Sequence, residues 1–164
     1  MNETQLLKVL RHYAEYGRVI DVLCVGTPKL IGDAVGPLVG TLLEDKLLYP
    51  SVKIIGTLEQ PVTSKSYTAR LKELRHNSYI VVVDAALSPA YPSFEIVQGP
   101  MQPGAAVSKK PAPIGDISVK CYTGATLSSL MSCDLNCTYK MAVTVAETLL
   151  GALSYSPDQF KQKR

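Results

Sequence analysis

Apolar positions recur at two periods along the chain. Leu6, Leu7, Leu10 and Tyr13 fall at helical spacing, so the first element reads as a helix capped by Asn2 or Thr4 and stopped at Gly17. Residues 19–25 form an apolar, β-branched run, the form of a strand buried on both faces. Val35, Leu38, Val39, Leu42, Leu43 and Leu47 return to a helical stripe. Pro37 sits in the first turn of that helix, where a missing N–H costs little, and Pro50 closes it. Residues 52–57 read as a short strand. Residues 64–75 read as a helix with Tyr67, Leu71 and Leu74 inward and Asn77 near its end. Residues 79–84, Tyr-Ile-Val-Val-Val-Asp, are the clearest strand. Residues 94–98 and 117–122 supply two more. A last helix over 134–150 turns Ala142, Val145, Ala146 and Leu149 inward, with Gly151 as its stop.

Repeated strand–helix–strand units predict an α/β fold, a three-layer α/β/α sandwich with a mostly parallel central sheet. Six of the eleven prolines lie between Pro89 and Pro113, which makes that stretch one long loop system broken by a brief strand. No repeat and no composition break divides the chain, so residues 1–164 read as one domain, with 154–164 a frayed polar and basic tail.

Composition narrows the function classes. The chain has 164 residues, 17 Lys+Arg and 14 Asp+Glu, a formal net charge of +3, too mild for nucleic-acid binding to be the default. No apolar run reaches the ~18–20 residues of a membrane span. The N-terminus lacks the basic start and apolar middle of a signal peptide, so a cytoplasmic protein is expected, with its four cysteines as free thiols.

Ligands of an open parallel sheet bind at the carboxyl ends of its strands. Asp33, Glu59 and Asp84 follow or end the first three strands and so meet at one edge, with no histidine among them. Asp33 also reads as the N-cap of the second helix, Asp84 as a cap of the turn after its strand, and Glu59 as a solvated loop acid. If Asp33 and Asp84 face each other in a dry cleft they share one proton, and the pair can hydrolyse an amide by acid–base catalysis. Thr27, Glu59, Ser88 and Thr123, at the same edge, are the candidates for binding a protein or peptide substrate. No metal or cofactor site is expected. The loop after the first strand lacks Gly-x-Gly-x-x-Gly, Lys29 is not in a P-loop context, and no Ser occupies a Gly-x-Ser-x-Gly elbow. His12 and His76 read as surface residues. Cys133 and Cys137 read as buried thiols of a core helix, Cys24 and Cys121 as strand core, and Lys109-Lys110 as a solvated pair able to steer an acidic partner.

Five blocks carry a resemblance. Gly26-Thr with Gly32-Asp33-Ala-Val-Gly-Pro-Leu-Val-Gly40, Gly56-Thr-Leu-Glu-Gln-Pro-Val62, Val83-Asp84-Ala, Gly99-Pro-Met-Gln-Pro-Gly104 and Pro113-Ile-Gly-Asp116-Ile are similar, in this order, to the YyaC-like sporulation proteins. That group is related to the spore germination protease and, more distantly, to the hydrogenase maturation proteases. The resemblance implies their sandwich fold and a sporulating source, with the protein in the mother cell or forespore. The germination protease is an atypical aspartic peptidase whose two catalytic aspartates lie in Asp-Ala-x-Gly-Pro-Leu and Asp-Ala-Leu segments. These match Asp33 and Asp84, although Ala86 stands where the second segment has Leu. Hydrogenase maturation proteases add a histidine that helps sense nickel, and no histidine stands near residues 123–126, where it would be expected.

The sequence thus points to a sporulation- or germination-associated peptidase working through an Asp33–Asp84 pair. Two alternatives stand beside it: an inactive sporulation binding protein on the same scaffold, engaging a partner through the proline-rich loops, and a divalent-metal-dependent hydrolase. Homo-oligomerisation is compatible with any of the three.

Overall fold

The computed structural model describes residues 1–47, 49–104 and 111–154. The expected tail beyond residue 154 and the Lys109-Lys110 pair lie outside the described residues.

Helix α1 (Glu3–Glu15) is closed at its start by Asn2. The Asn2 side chain accepts from the Gln5 N–H and the Gln5 side chain accepts from the Asn2 N–H, each at 2.9 Å. Gly17 (φ +70°) ends it. Strand β1 (Ile20–Cys24) leads through a 3₁₀ turn (Gly32–Ala34) into α2 (Val35–Glu44). Then come β2 (Val52–Ile55), a short α3 (Tyr67–Leu71), β3 (Tyr79–Leu87), β4 (Ser93–Gln98), β5 (Ile117–Gly124), α4 (Leu127–Met131) and α5 (Leu135–Leu153). The sheet order is β2-β1-β3-β5-β4, parallel except for the antiparallel edge strand β4. This is the expected mostly parallel α/β sheet.

Alternate residues of the central strands face opposite layers, as the pleat requires. Val22, Val81, Val83 and Val119 pack with Leu6 and Leu10 of α1, Val35, Val39 and Leu43 of α2, and Val145 and Leu149 of α5. Leu23 and Val82 face the other way, onto Ile55, Val62, Met101 and the half-buried Tyr67 and Leu71. The backbone of α2 touches the loop after β2 directly: a Cβ on Gly40 would lie 1.9 Å from the Gly56 carbonyl oxygen.

Four expectations need correcting. The helix predicted over 64–75 is one short turn, because the Arg75 N–H is drawn out of the helix by the Asp21 carboxylate at 2.7 Å. Strand β3 continues three residues past Asp84, since β5 pairs beside it through Ala85, Ala86 and Leu87. Gly151 does not stop the last helix. Burial of Ala152 and Leu153 outweighs a glycine's propensity penalty of ~1 kcal/mol. Cys133 and Cys137 are not core. Cys133 lies in the link before α5, Cys137 lies in its first turn, and both are half-buried, whereas Cys24 and Cys121 are fully buried as expected. Helix α4 lies outside the elements that the sequence pattern predicts, and Thr126 and Ser129 form a capping box at its start. No helix among the described residues is long and apolar enough to cross a membrane.

Candidate active site

The carboxyl ends of β1 and β3 lie side by side, with Cys24 opposite Val83. Beyond β1 the chain stays pinned: the Val25 N–H donates to the Val83 carbonyl at 2.8 Å and the Gly26 N–H to the Val62 carbonyl at 3.0 Å. Gly26 has φ +144°, and a Cβ there would lie 2.1 Å from the Asp33 carbonyl oxygen, so only glycine lets the loop fold back this closely. That closure brings Asp33 over the Thr27 N–H, which donates to its Oδ2 at 2.6 Å.

Asp33 is therefore not a helix cap. Neither the 3₁₀ turn nor α2 has a side-chain cap, and the Ala34 N–H is taken by the Leu30 and Ile31 carbonyls. The carboxylate turns back across the loop instead. Burial raises its pKa, opposed by the Thr27 N–H.

Asp84 sits within β3 and is 1% exposed. Its Oδ2 accepts from the Gly104 N–H at 2.7 Å, which anchors the proline-rich segment to the sheet. Its Oδ1 is buried with no hydrogen-bond partner. Burial pushes the carboxyl up to about 8, and the charge of Asp33 adds to this; the Gly104 and Ala85 N–H groups oppose it. Both acids line one cleft of about 330 Å³, with Gly26, Thr27 and Leu30 on one wall and Val62, Thr63 and Ser64 on another. The exposed Lys29 and Lys65 stand at its rim.

The other candidates are scattered. Thr27 lines the cleft and serves Asp33 through its backbone. Glu59 is exposed in the loop after β2, and Ser88 lies in the turn after β3, its hydroxyl accepting from the Ala90 N–H at 3.1 Å; neither lines the cleft. Thr123 is 1% exposed in β5 with its hydroxyl unpartnered, and it does not line the cleft.

One residue was missed. Tyr67 of α3 had been read only as an inward apolar position, yet its hydroxyl is buried without a hydrogen-bond partner. Its pKa is raised by burial and then by the charge of Asp84. The available signal was the phenol itself, since a buried tyrosine hydroxyl normally seeks a partner.

The donor set does not suit a nickel or zinc centre. Among the described residues no third His, Cys, Asp or Glu joins the two carboxylates. His12 is exposed on α1, and His76 is exposed before the start of β3, at the opposite edge of the sheet. A nickel or zinc centre would call for nitrogen or sulfur ligands that this cleft does not present.

Comparison with known proteins agrees with this architecture. A family profile described as "Protein of unknown function (DUF1256)" matches residues 1–148. The uncharacterized protein YyaC of Bacillus subtilis (strain 168) is 33% identical over 156 residues, covering 90% of this chain and 75% of that protein. Among solved structures, the [NiFe] hydrogenase maturation protease HycI of Thermococcus kodakarensis KOD1 superposes with a TM-score of 0.60 at 22% identity. The hydrogenase maturating endopeptidase HybD of E. coli does so with a TM-score of 0.54 at 16% identity. Each covers 83% of this chain and 92% of its own. At these identities the likeness is one of fold.

Proposed function

This chain belongs to the DUF1256 family, and from that premise we propose that it is a peptidase that hydrolyses peptide bonds of a protein substrate through the Asp33–Asp84 pair. One observation carries the proposal: Asp84 is buried beside a second acid with one oxygen unpaired, in a cleft open to a ligand. An acid placed so is poor for stability and suited to handling a proton.

The roles follow from the surroundings. Asp84, the more deeply buried, holds the proton. Asp33, half-buried and served by the Thr27 N–H, is the ionised partner. A water between them loses a proton to Asp33 and attacks the scissile carbonyl carbon. Asp84 gives its proton to the carbonyl oxygen. On collapse the C–N bond breaks, the amine leaves with the proton from Asp33, and Asp84 recovers its own from the tetrahedral hydroxyl. No covalent intermediate forms. The shared fold with proteins named as a maturation protease and an endopeptidase supports the reaction class. That the substrate is a spore or developmental protein is a part of the proposal resting on the sequence resemblance alone.

The test is exposure of the purified protein to a proteome-derived peptide library, with new termini read by mass spectrometry. The wild type should generate a consistent cleavage motif, with or without EDTA, and Asp33→Asn and Asp84→Asn should not. Folded wild type that makes no cut, or variants that cut as fast, would overturn the proposal. Loss of cleavage on chelation would point to a divalent-ion hydrolase.

A further inference from the structure

We propose that Cys137 and Cys133 form a dithiol that takes up an anionic low-molecular-weight disulfide and closes to an intramolecular disulfide at the start of α5. This site is separate from the acid pair and does not depend on its role.

The geometry distinguishes two kinds of thiol in this chain. Cys24 and Cys121 are fully buried in the same core cluster and out of reach of solutes. Cys133 and Cys137 are half-buried and four residues apart, Cys133 just before the nineteen-residue helix α5 and Cys137 in its first turn. Asp134 caps that helix by accepting from the Cys137 N–H at 3.0 Å. The cap folds the preceding residue back over the first turn, so that the Cys133 sulfur comes within 3.2 Å of the Thr138 hydroxyl. Thr138 directly follows Cys137, so the same fold brings Cys133 back toward the turn that carries Cys137.

The two sulfurs have different surroundings. Cys137 lines an open groove of about 370 Å³ between β4 and α5, with Pro92, Phe94 and Met141 as apolar walls and Lys140 as a cation beside it. That is a seat for a small disulfide carrying carboxylates. Cys133 is tucked against Thr138 and is placed to act second. In the first step the Cys137 thiolate attacks one sulfur of the small disulfide. A mixed disulfide forms and one thiolate leaves. In the second step the Cys133 thiolate attacks the Cys137 sulfur and expels the other thiolate. The protein loses two electrons and two protons, and the small disulfide is reduced to two thiols. Burial, then Cys133 and Asp134, raise the Cys137 pKa, with Lys140 opposing, so uptake should quicken as pH rises above neutral.

The test uses oxidised glutathione on the full chain, read by intact mass and peptide mapping. Wild type should lose two hydrogens, mapped to a Cys133–Cys137 link, and dithiothreitol should restore them. Cys133→Ser should trap one glutathione on Cys137. Cys137→Ser should remain unmodified under the same exposure. Circular dichroism before treatment checks that each variant is folded, and Cys133→Ala and Cys137→Ala replace any serine variant that is not. Three outcomes would overturn the proposal: a glutathione adduct that persists on wild type without closure, a covalent dimer in place of the intramolecular link, or equal modification of the Cys137 variant.

Discussion

Two buried aspartates occupy neighbouring strands of this sheet and are treated in opposite ways. Asp21, at the start of β1, is fully buried and fully answered. Arg75 donates its Nε to Asp21 Oδ1 and its backbone N–H to Oδ2, both at 2.7 Å, and its remaining guanidinium nitrogens reach the carbonyls of Ile20, Pro50 and Ser51. Asp84, toward the other end of β3, has one backbone donor from the proline-rich segment, an orphaned oxygen, and a second acid for company. A buried charge that is paired holds a fold together; a buried acid left half-answered is held by the fold for some other purpose. The two ends of the sheet thus hold one acid that is paired and one that is not.

The largest expected effect breaks the comparison at its chemical end. Asp33→Asn and Asp84→Asn should each lower peptide cleavage by ~10²–10⁴-fold, the usual range for a general acid or base, while circular dichroism is unchanged. The pH–rate profile should be bell-shaped with its alkaline limb near the value of about 8 given by Asp84, as a property of the pair.

Stability should then respond to pH through the same residue. Folded Asp84 keeps its proton up to about 8, whereas an unfolded chain releases it near the ordinary carboxylate value of ~4. The folded state therefore binds more protons across that window. Its advantage is complete below the lower value and is lost as pH rises through the upper one. Asp84→Asn removes this dependence. Urea unfolding at pH 4 and pH 8 should show the variant gaining on wild type by up to about 5 kcal/mol at the higher pH, at ~1.36 kcal/mol per pH unit. A constant gap at both pH values would contradict the assignment.

At the structural end, Arg75→Ala should cost about 3 kcal/mol by leaving Asp21 buried and unpaired. Adding Asp21→Asn should recover part of that loss, and cleavage per folded molecule should not change. The smallest effect is expected from Tyr67→Phe. It removes a buried, unpartnered hydroxyl, so stability should hold or rise by ~1 kcal/mol. A shift of the alkaline limb in this variant would show that the phenol communicates with Asp84; an unmoved limb would leave Tyr67 as packing.

What was legible follows from distance along the chain. The Val-rich runs of β1 and β3 and the stripe of α2 are local patterns, and the strand-end rule then brought Asp33 and Asp84 to one edge. The Asp21–Arg75 pair spans 54 residues, and an acid within an otherwise apolar strand gives no hint of where its cation lies. Gly104 donates to Asp84 from inside a segment that reads only as loop. Tyr67 was hidden because its ring satisfies the hydrophobic pattern, while its hydroxyl is informative only once the neighbouring carboxylate is known. Asp33 misled in the other direction: its position suits an N-cap, but the closure at Gly26 offered its carboxylate a nearer donor.

The crossover that sets β3 beside β1 has a consequence for a chain still being made. Asp33 is synthesised long before Asp84, and each remains an ordinary solvated carboxylate until the central strands align and bury them. A ribosome-bound fragment, or a molecule that has lost its strand order, carries both acids and none of their coupling. Completion of the sheet is therefore the step that couples the two acids.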